Sequence, residues 1–185
     1  MASHYQRPAE CAETTGEFPA ALQPDLHERR ILVLHNRDFQ PSDGADALDS
    51  IARADVESSA RDVARALCAR GHFVEVKGVD RDDLGELMQQ LRQDPPDLVF
   101  NLVESLAADA RHEILVPSLL DLLGVPYTGS SPLTLGICGR KQHAGQLLRA
   151  AGLSTPESAL LPAGPRPRAA DLRAVEHLEY PLFVK

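Results

Sequence analysis

Apolar residues recur along the chain with two alternating periods. In "RRILVLHN" the run Ile31–Leu34 is continuous, bounded by Arg30 and Asn36, which is the signature of a short strand buried on both faces. From about Ala47 to Arg70 the period lengthens. Val56, Ala60, Val63, Ala64 and Leu67 fall at helical spacing, and Gly71 stands where a left-handed cap would close the helix. "HFVEVKGV" then alternates as a second strand, and "RDDLGELMQQLRQ" reads as a second helix ended by Pro95 and Pro96. "DLVFNL" predicts a third strand. "RHEILVPSLLDLLG" predicts a third helix that begins near Pro117 and closes at Gly124, and "VPYTG" a short fourth strand.

Strands alternating with helices of this length imply right-handed crossovers and a parallel sheet covered on both faces, a three-layer α/β architecture. Residues 1–28 carry Pro8, Pro19 and Pro24 without sustained periodicity and predict a flexible arm; the α/β domain then runs over 29–130. A long helix is expected from Pro132 to Ala151, with Ser131 as its N-cap, Pro132 at its first position and Gly152 past its end. This forms a linker over 131–153. A proline-rich stretch follows, and 154–185 reads as the opening of a further domain, with "YPLFVK" beginning a strand.

Composition narrows the function. The formal charge is −8, and aromatic residues make up only 4% with no Trp. Broad binding to nucleic acid or to an anionic membrane is therefore not expected, since both need an excess of cations and the former exposed aromatic faces. One small anion is still within reach of two or three cations. Cys11, Cys68 and Cys138 are far apart and show no CxxC spacing, so they read as reduced thiols of a cytoplasmic protein. The most apolar stretch is too short to span a bilayer and contains Asp121, and no signal peptide is visible in the first thirty residues.

Several motifs are absent from the chain: GxxxxGK[ST], a GxGxxG after the first strand, HExxH and GxSxG. Two places remain where chemistry could sit. The Gly/Ser turn "TGSSP", with Gly129, Ser130 and Ser131, leaves the fourth strand and opens a helix, where free N–H groups hold an anion or merely make a turn and cap. Arg140 and Lys141 lie within and beside that helix's apolar stripe, either snorkelling to water or reaching an anion site. Lys185 ends an apolar strand. Asn36, Asn101 and Glu104 fall at strand ends, the edge of an open α/β sheet where ligands collect.

Taken together, "DLVFNLVE", then "LVPSLLDLLGVPYTGSSPLTLGICGRKQHAGQLLRAAGLSTPESALL", then "YPLFVK" resemble the D-alanine–D-alanine ligase family of ATP-grasp enzymes. The most specific piece is "GVPYTGS" followed by a helix lysine and a "GLSTP" exit. The resemblance runs over about residues 29–185 and covers the amino-terminal half of such an enzyme. It implies a first domain of the biotin-carboxylase N-terminal type and then the start of an ATP-grasp domain. It also implies ATP and Mg2+ as cofactors, and an amino acid substrate. In this family ATP phosphorylates the carboxylate of one D-alanine, and the amine of a second attacks the acyl phosphate, a step in making peptidoglycan precursors.

Carried over residue by residue, Lys141 and Lys185 match the two lysines that contact ATP in such enzymes, and Glu57, Glu104 and Ser130 are the substrate-binding candidates. A homodimer is implied, although no segment displays its interface. The chain departs from the family at "HNRDF", where a Gly-Gly turn is usual, at Val103–Glu104, where a His-Gly pair is usual, and at Arg140, where Asp is common. The family's phosphate-covering loop and magnesium carboxylates come later than Lys185, so this chain alone is expected not to turn over ATP. Two other readings stay open: a non-catalytic α/β module that binds a ligand or partner, and an ATP-grasp ligase for another amino acid or a peptide.

Overall fold

The computed structural model describes residues 27–37 and 47–161, with 173, 175, 176 and 178; over 47–54 it describes the backbone helix alone. The arm expected over 1–28 lies outside these residues up to residue 26, and most of 162–185 lies outside them too. The chain divides into two compact units, Met1–Pro132 and Leu133–Lys185.

The first unit is built on three strands, β1 (Arg30–Asn36), β2 (Phe73–Val79) and β3 (Leu98–Leu102). They pair in the order β2-β1-β3, all parallel. Ile31 stands opposite both Val74 and Leu98, and Val33 opposite both Val76 and Phe100. As the central strand, β1 is buried from Ile31 to Asn36, which is why its sequence is a continuous apolar run and not an alternation.

The pleat divides β1 between two cores. Val33 points to Ala60, Ala64 and Cys68 of α1 (Ala47–Cys68) and to Val74. These small residues recur every fourth position, so one narrow face of α1 lies close against the sheet. Leu32 and Leu34 point the other way, into a cluster with Leu87 and Leu91 of α2 (Leu84–Gln93) and Val116 and Leu120 of α3 (Leu115–Leu123). Helices on both faces of a parallel sheet give the three layers that the alternating periods predict.

Glycines close two of the helices. Gly71 (φ +90°) ends α1 and Gly124 (φ +67°) ends α3, where the Val125 N–H donates to the Leu120 carbonyl at 3.0 Å. Pro117 is the third residue of α3, a first-turn position at which its missing N–H removes no helical bond.

Three expectations need correction. The fourth strand shrinks to one parallel bridge, Val99 to Tyr127, with the Val99 N–H donating to the Pro126 carbonyl at 2.8 Å. Pro126 has no N–H to extend a ladder. The single helix expected over 132–151 is two, α4 (Pro132–Cys138) and α5 (Lys141–Ala150). Gly139 and Arg140 break it, Arg140 lying at φ −110°, ψ 84°. Finally, Cys68 is disulfide-bonded, not reduced, while Cys138 is an exposed free thiol. In the second unit Leu133, Leu153 and Leu160 are more than half exposed.

Candidate functional site

Parallel strands bring all their carboxyl ends to one edge. The chain leaves β1 for β2 on one side and returns to β3 on the other, so the strand order reverses at β1. A crevice at that switch is the usual ligand position in open α/β sheets. Asn36 ends β1, Asp80 follows β2, and Asn101 lies in β3 just ahead of the segment 103–109 that leads to α3.

That segment is fixed mostly by side chains. Val103 N–H donates to Asn101 Oδ1 at 3.3 Å, and Glu104 N–H to Asn36 Oδ1 at 3.4 Å. Ala107 N–H donates to Asp80 Oδ1 at 2.8 Å. Asn36 is buried and also donates from Nδ2 to Ser105 Oγ at 3.2 Å. Ala107 and Ala108 have φ of 54° and 55°, a region that costs a residue with a Cβ roughly 1–2 kcal/mol. The surrounding bonds hold them there, including His112 Nδ1 to the Leu106 carbonyl at 2.8 Å.

The turn after β2 is equally tied. Asp80 Oδ1 accepts from the Arg81 N–H at 2.6 Å while Asp83 accepts from the Asp80 N–H at 2.7 Å, a reciprocal cap on a short 3-10 turn. Arg37, just past β1, grips both oxygens of Asp83 at 2.8 and 2.9 Å. Burial pushes the Asp83 carboxyl up, but the hydrogen bonds from Arg37 and Asp80 outweigh it and hold the group below the usual range.

Above the β3 end lies a cleft of about 170 Å³ lined by Asp55, Val56 and Ser59 of α1 with Leu102 and Glu104. Pockets for drug-sized ligands occupy roughly 300–1,000 Å³, so this cleft suits something of amino-acid size. Among the described residues, two carboxylates and no cation line it. Glu113, before α3, has its carboxyl pushed up by burial and then by the charge of Glu104. The edge therefore favours an ammonium over a phosphate, and the N–H groups of Val103, Glu104 and Ala107 are already engaged within the protein.

Of the candidate residues, Glu104 is at the cleft. Glu57 is one residue from its α1 wall but pairs with Arg61 on the exposed side of the helix. Ser130 lies exposed, two residues after Thr128, whose Oγ1 accepts from the Asn101 N–H at 3.2 Å. Arg140 and Lys141 are exposed at the start of α5 in the second unit, and Lys185 lies outside the described residues. Asp55, Ser59 and Asp80 were not singled out from sequence. On α1 the first two read as a solvated helix face, and only the approach of β3 makes them a wall.

No family model matches the chain. A D-alanine–D-alanine ligase of Nitratidesulfovibrio vulgaris is 36% identical over 128 residues, 69% of this chain and 39% of that protein. Another, of Chromohalobacter salexigens, is 46% identical over 66 residues, 36% of this chain and 20% of that protein. The chain is a homologue of the D-alanine–D-alanine ligases. An uncharacterised protein of Sinorhizobium fredii, y4sG, is 34% identical over 110 residues, 56% of this chain and 30% of that protein. The chain thus spans well under half the length of these relatives. The fold agrees with that of a Bacillus anthracis D-alanine–D-alanine ligase crystallised with ATP, at a TM-score of 0.50 and 19% identity, over 74% of this chain and 40% of that one.

Among the described residues no three His, Cys, Asp or Glu side chains converge as metal ligands would, so none of them is assigned to Mg2+. Nor is any helix among them long and apolar enough to cross a membrane.

Proposed function

We propose that this chain is the amino-terminal part of an ATP-dependent carboxylate–amine ligase of the D-alanine–D-alanine type, acting in the cytoplasm on peptidoglycan precursors. The first unit corresponds to the biotin-carboxylase N-terminal-type domain, and the residues from 154 onward open the ATP-grasp domain. The acidic cleft at the carboxyl edge of the sheet carries this reading. It offers a small, negatively charged recess in a homologue of enzymes named for an amino acid substrate. Glu104 and Asp55 receive the ammonium group there, Ser59 adds a hydroxyl that can accept from it, and Val56 and Leu102 face the aliphatic part. Glu57 and Ser130, which do not line the recess, are kept as secondary candidates for contact with the substrate.

ATP supplies the phosphoryl group that turns a substrate carboxylate into an acyl phosphate. Lys141, exposed at the first turn of α5, and Lys185 neutralise its phosphates, which is where most stabilisation of phosphoryl transfer lies. Mg2+ and a homodimer belong to the reading of the complete enzyme. So does turnover, which we do not assign to the 185 residues alone.

The test is calorimetric titration of the full 185-residue chain with D-alanine and with D-lactate, which has a hydroxyl in place of the ammonium. D-lactate is expected to bind roughly tenfold or more weakly, the scale of one charged hydrogen bond, and Glu104→Gln to bring D-alanine to the same level. Equal binding of both ligands would overturn the reading. A ligase of this type for another amino acid or a peptide is favoured by Val103–Glu104, whose N–H groups are both taken up by asparagine side chains. Tighter binding of a different amino acid in the same titration would establish it.

A further inference from the structure

Among the described residues no ion pair holds the Glu104 carboxylate, so its place at the cleft depends on its backbone. That backbone lies between Leu102 and Ala110, where one antiparallel bridge, Leu106 to Asp109, closes a turn, and it is clamped from the ends of three different strands. Asn101 holds Val103, Asn36 holds Glu104, and Asp80 holds Ala107, each by a side-chain oxygen accepting a main-chain N–H.

We propose that Asn36 and Asp80 are positioning residues for Glu104: from the ends of β1 and β2 they fix the segment that carries its carboxylate to the cleft. Asn36 suits the task because it is buried and both ends of its amide are used. Its Oδ1 accepts from Glu104 and its Nδ2 donates to Ser105. Asp80 fixes the far end, where Ala107 and Ala108 take a left-handed backbone inside the Leu106–Asp109 bridge. Neither side chain needs to touch the ligand. The proposal rests on the reading that Glu104 receives the substrate ammonium.

The experiment is a double-mutant cycle on the full chain, read as D-alanine affinity by calorimetry. Asn36→Ala and Glu104→Gln are each expected to weaken binding roughly tenfold. The double variant should be no weaker than Glu104→Gln alone, because residues acting through one group are not additive. Additive losses would overturn the proposal while leaving Glu104 in place as the ligand. An unchanged affinity in Glu104→Gln would overturn the underlying reading and the proposal with it. Asp80 provides a second arm, since Asn36 is buried and its loss can unfold the protein. Asp80→Ala should weaken D-alanine binding several-fold, and Asp80→Asn, which keeps the oxygen facing Ala107 N–H, should restore it. Equal losses in both Asp80 variants would count against positioning through that bond.

Discussion

At the scale of single residues, charge at the sheet edge is arranged in opposition. Arg37 and Asp83 neutralise each other beside β2, whereas Glu113 feels the like charge of Glu104, and among the described residues no ion pair engages either carboxylate. For Glu113 the sign is clear. Burial first, and the charge of Glu104 second, raise its folded-state pKa. The ionised form therefore weakens the fold above that pKa, and the penalty fades as pH falls through it. Glu113→Gln is expected to melt at a higher temperature than the parent at pH 7, with the difference closing toward about pH 4, the ordinary glutamate range. Melting curves across that interval check it, and a gap that does not change with pH would contradict the assignment. Little of this was visible in the chain. Glu104 falls at a strand end, which makes it a candidate, but nothing local links residues 104 and 113, or 36 and 104.

Elements were far easier to read. β1, α1, β2, α2, β3 and α3 all follow from the apolar period, because each helix buries one stripe against one face of the sheet and the strands bury their runs between the two cores. Reading failed where the period does not change. Leu133, Ile137, Ala144 and Leu148 stay in helical phase across Gly139 and Arg140, so the break between α4 and α5 is silent in the pattern. The backbone property of glycine, not hydrophobicity, marks it. "VPYTG" failed for the converse reason, since its composition suits a strand but Pro126 limits the ladder. The cap of α3 gives a test at this scale. A Cβ at Gly124 would meet nothing within 4 Å, so the cost of Gly124→Ala lies in the left-handed backbone alone. It is expected to destabilise the protein by about 1–2 kcal/mol, measured by chemical unfolding with an unchanged denaturant slope.

At the scale of the molecule, the two units separate the proposed duties. The amino-acid cleft is confined to the first unit, and Lys141 sits in the second. Lys141→Ala is expected to weaken ATP binding roughly tenfold and to leave D-alanine affinity within error, with Glu104→Gln giving the reverse. Parallel titrations of both variants with both ligands check it; a lysine variant that alters neither would remove Lys141 from the nucleotide site. Family resemblance supplied this partition, since an exposed lysine at a helix start carries no message of its own. Composition gives an acidic molecule, and the recess is acidic too.

The position of β1 in the middle of the sheet has a consequence for how the protein is made. Its neighbour β2 starts at Phe73, but its other neighbour, β3, is not complete until Leu102. During synthesis the most apolar strand therefore waits, with one full row of its N–H and C=O groups open, for about seventy residues to be added. An open, apolar strand edge is a template for another chain. Products of translation that stall before Leu102 hold β1 in that state, and are expected to be the species most prone to pair with another chain.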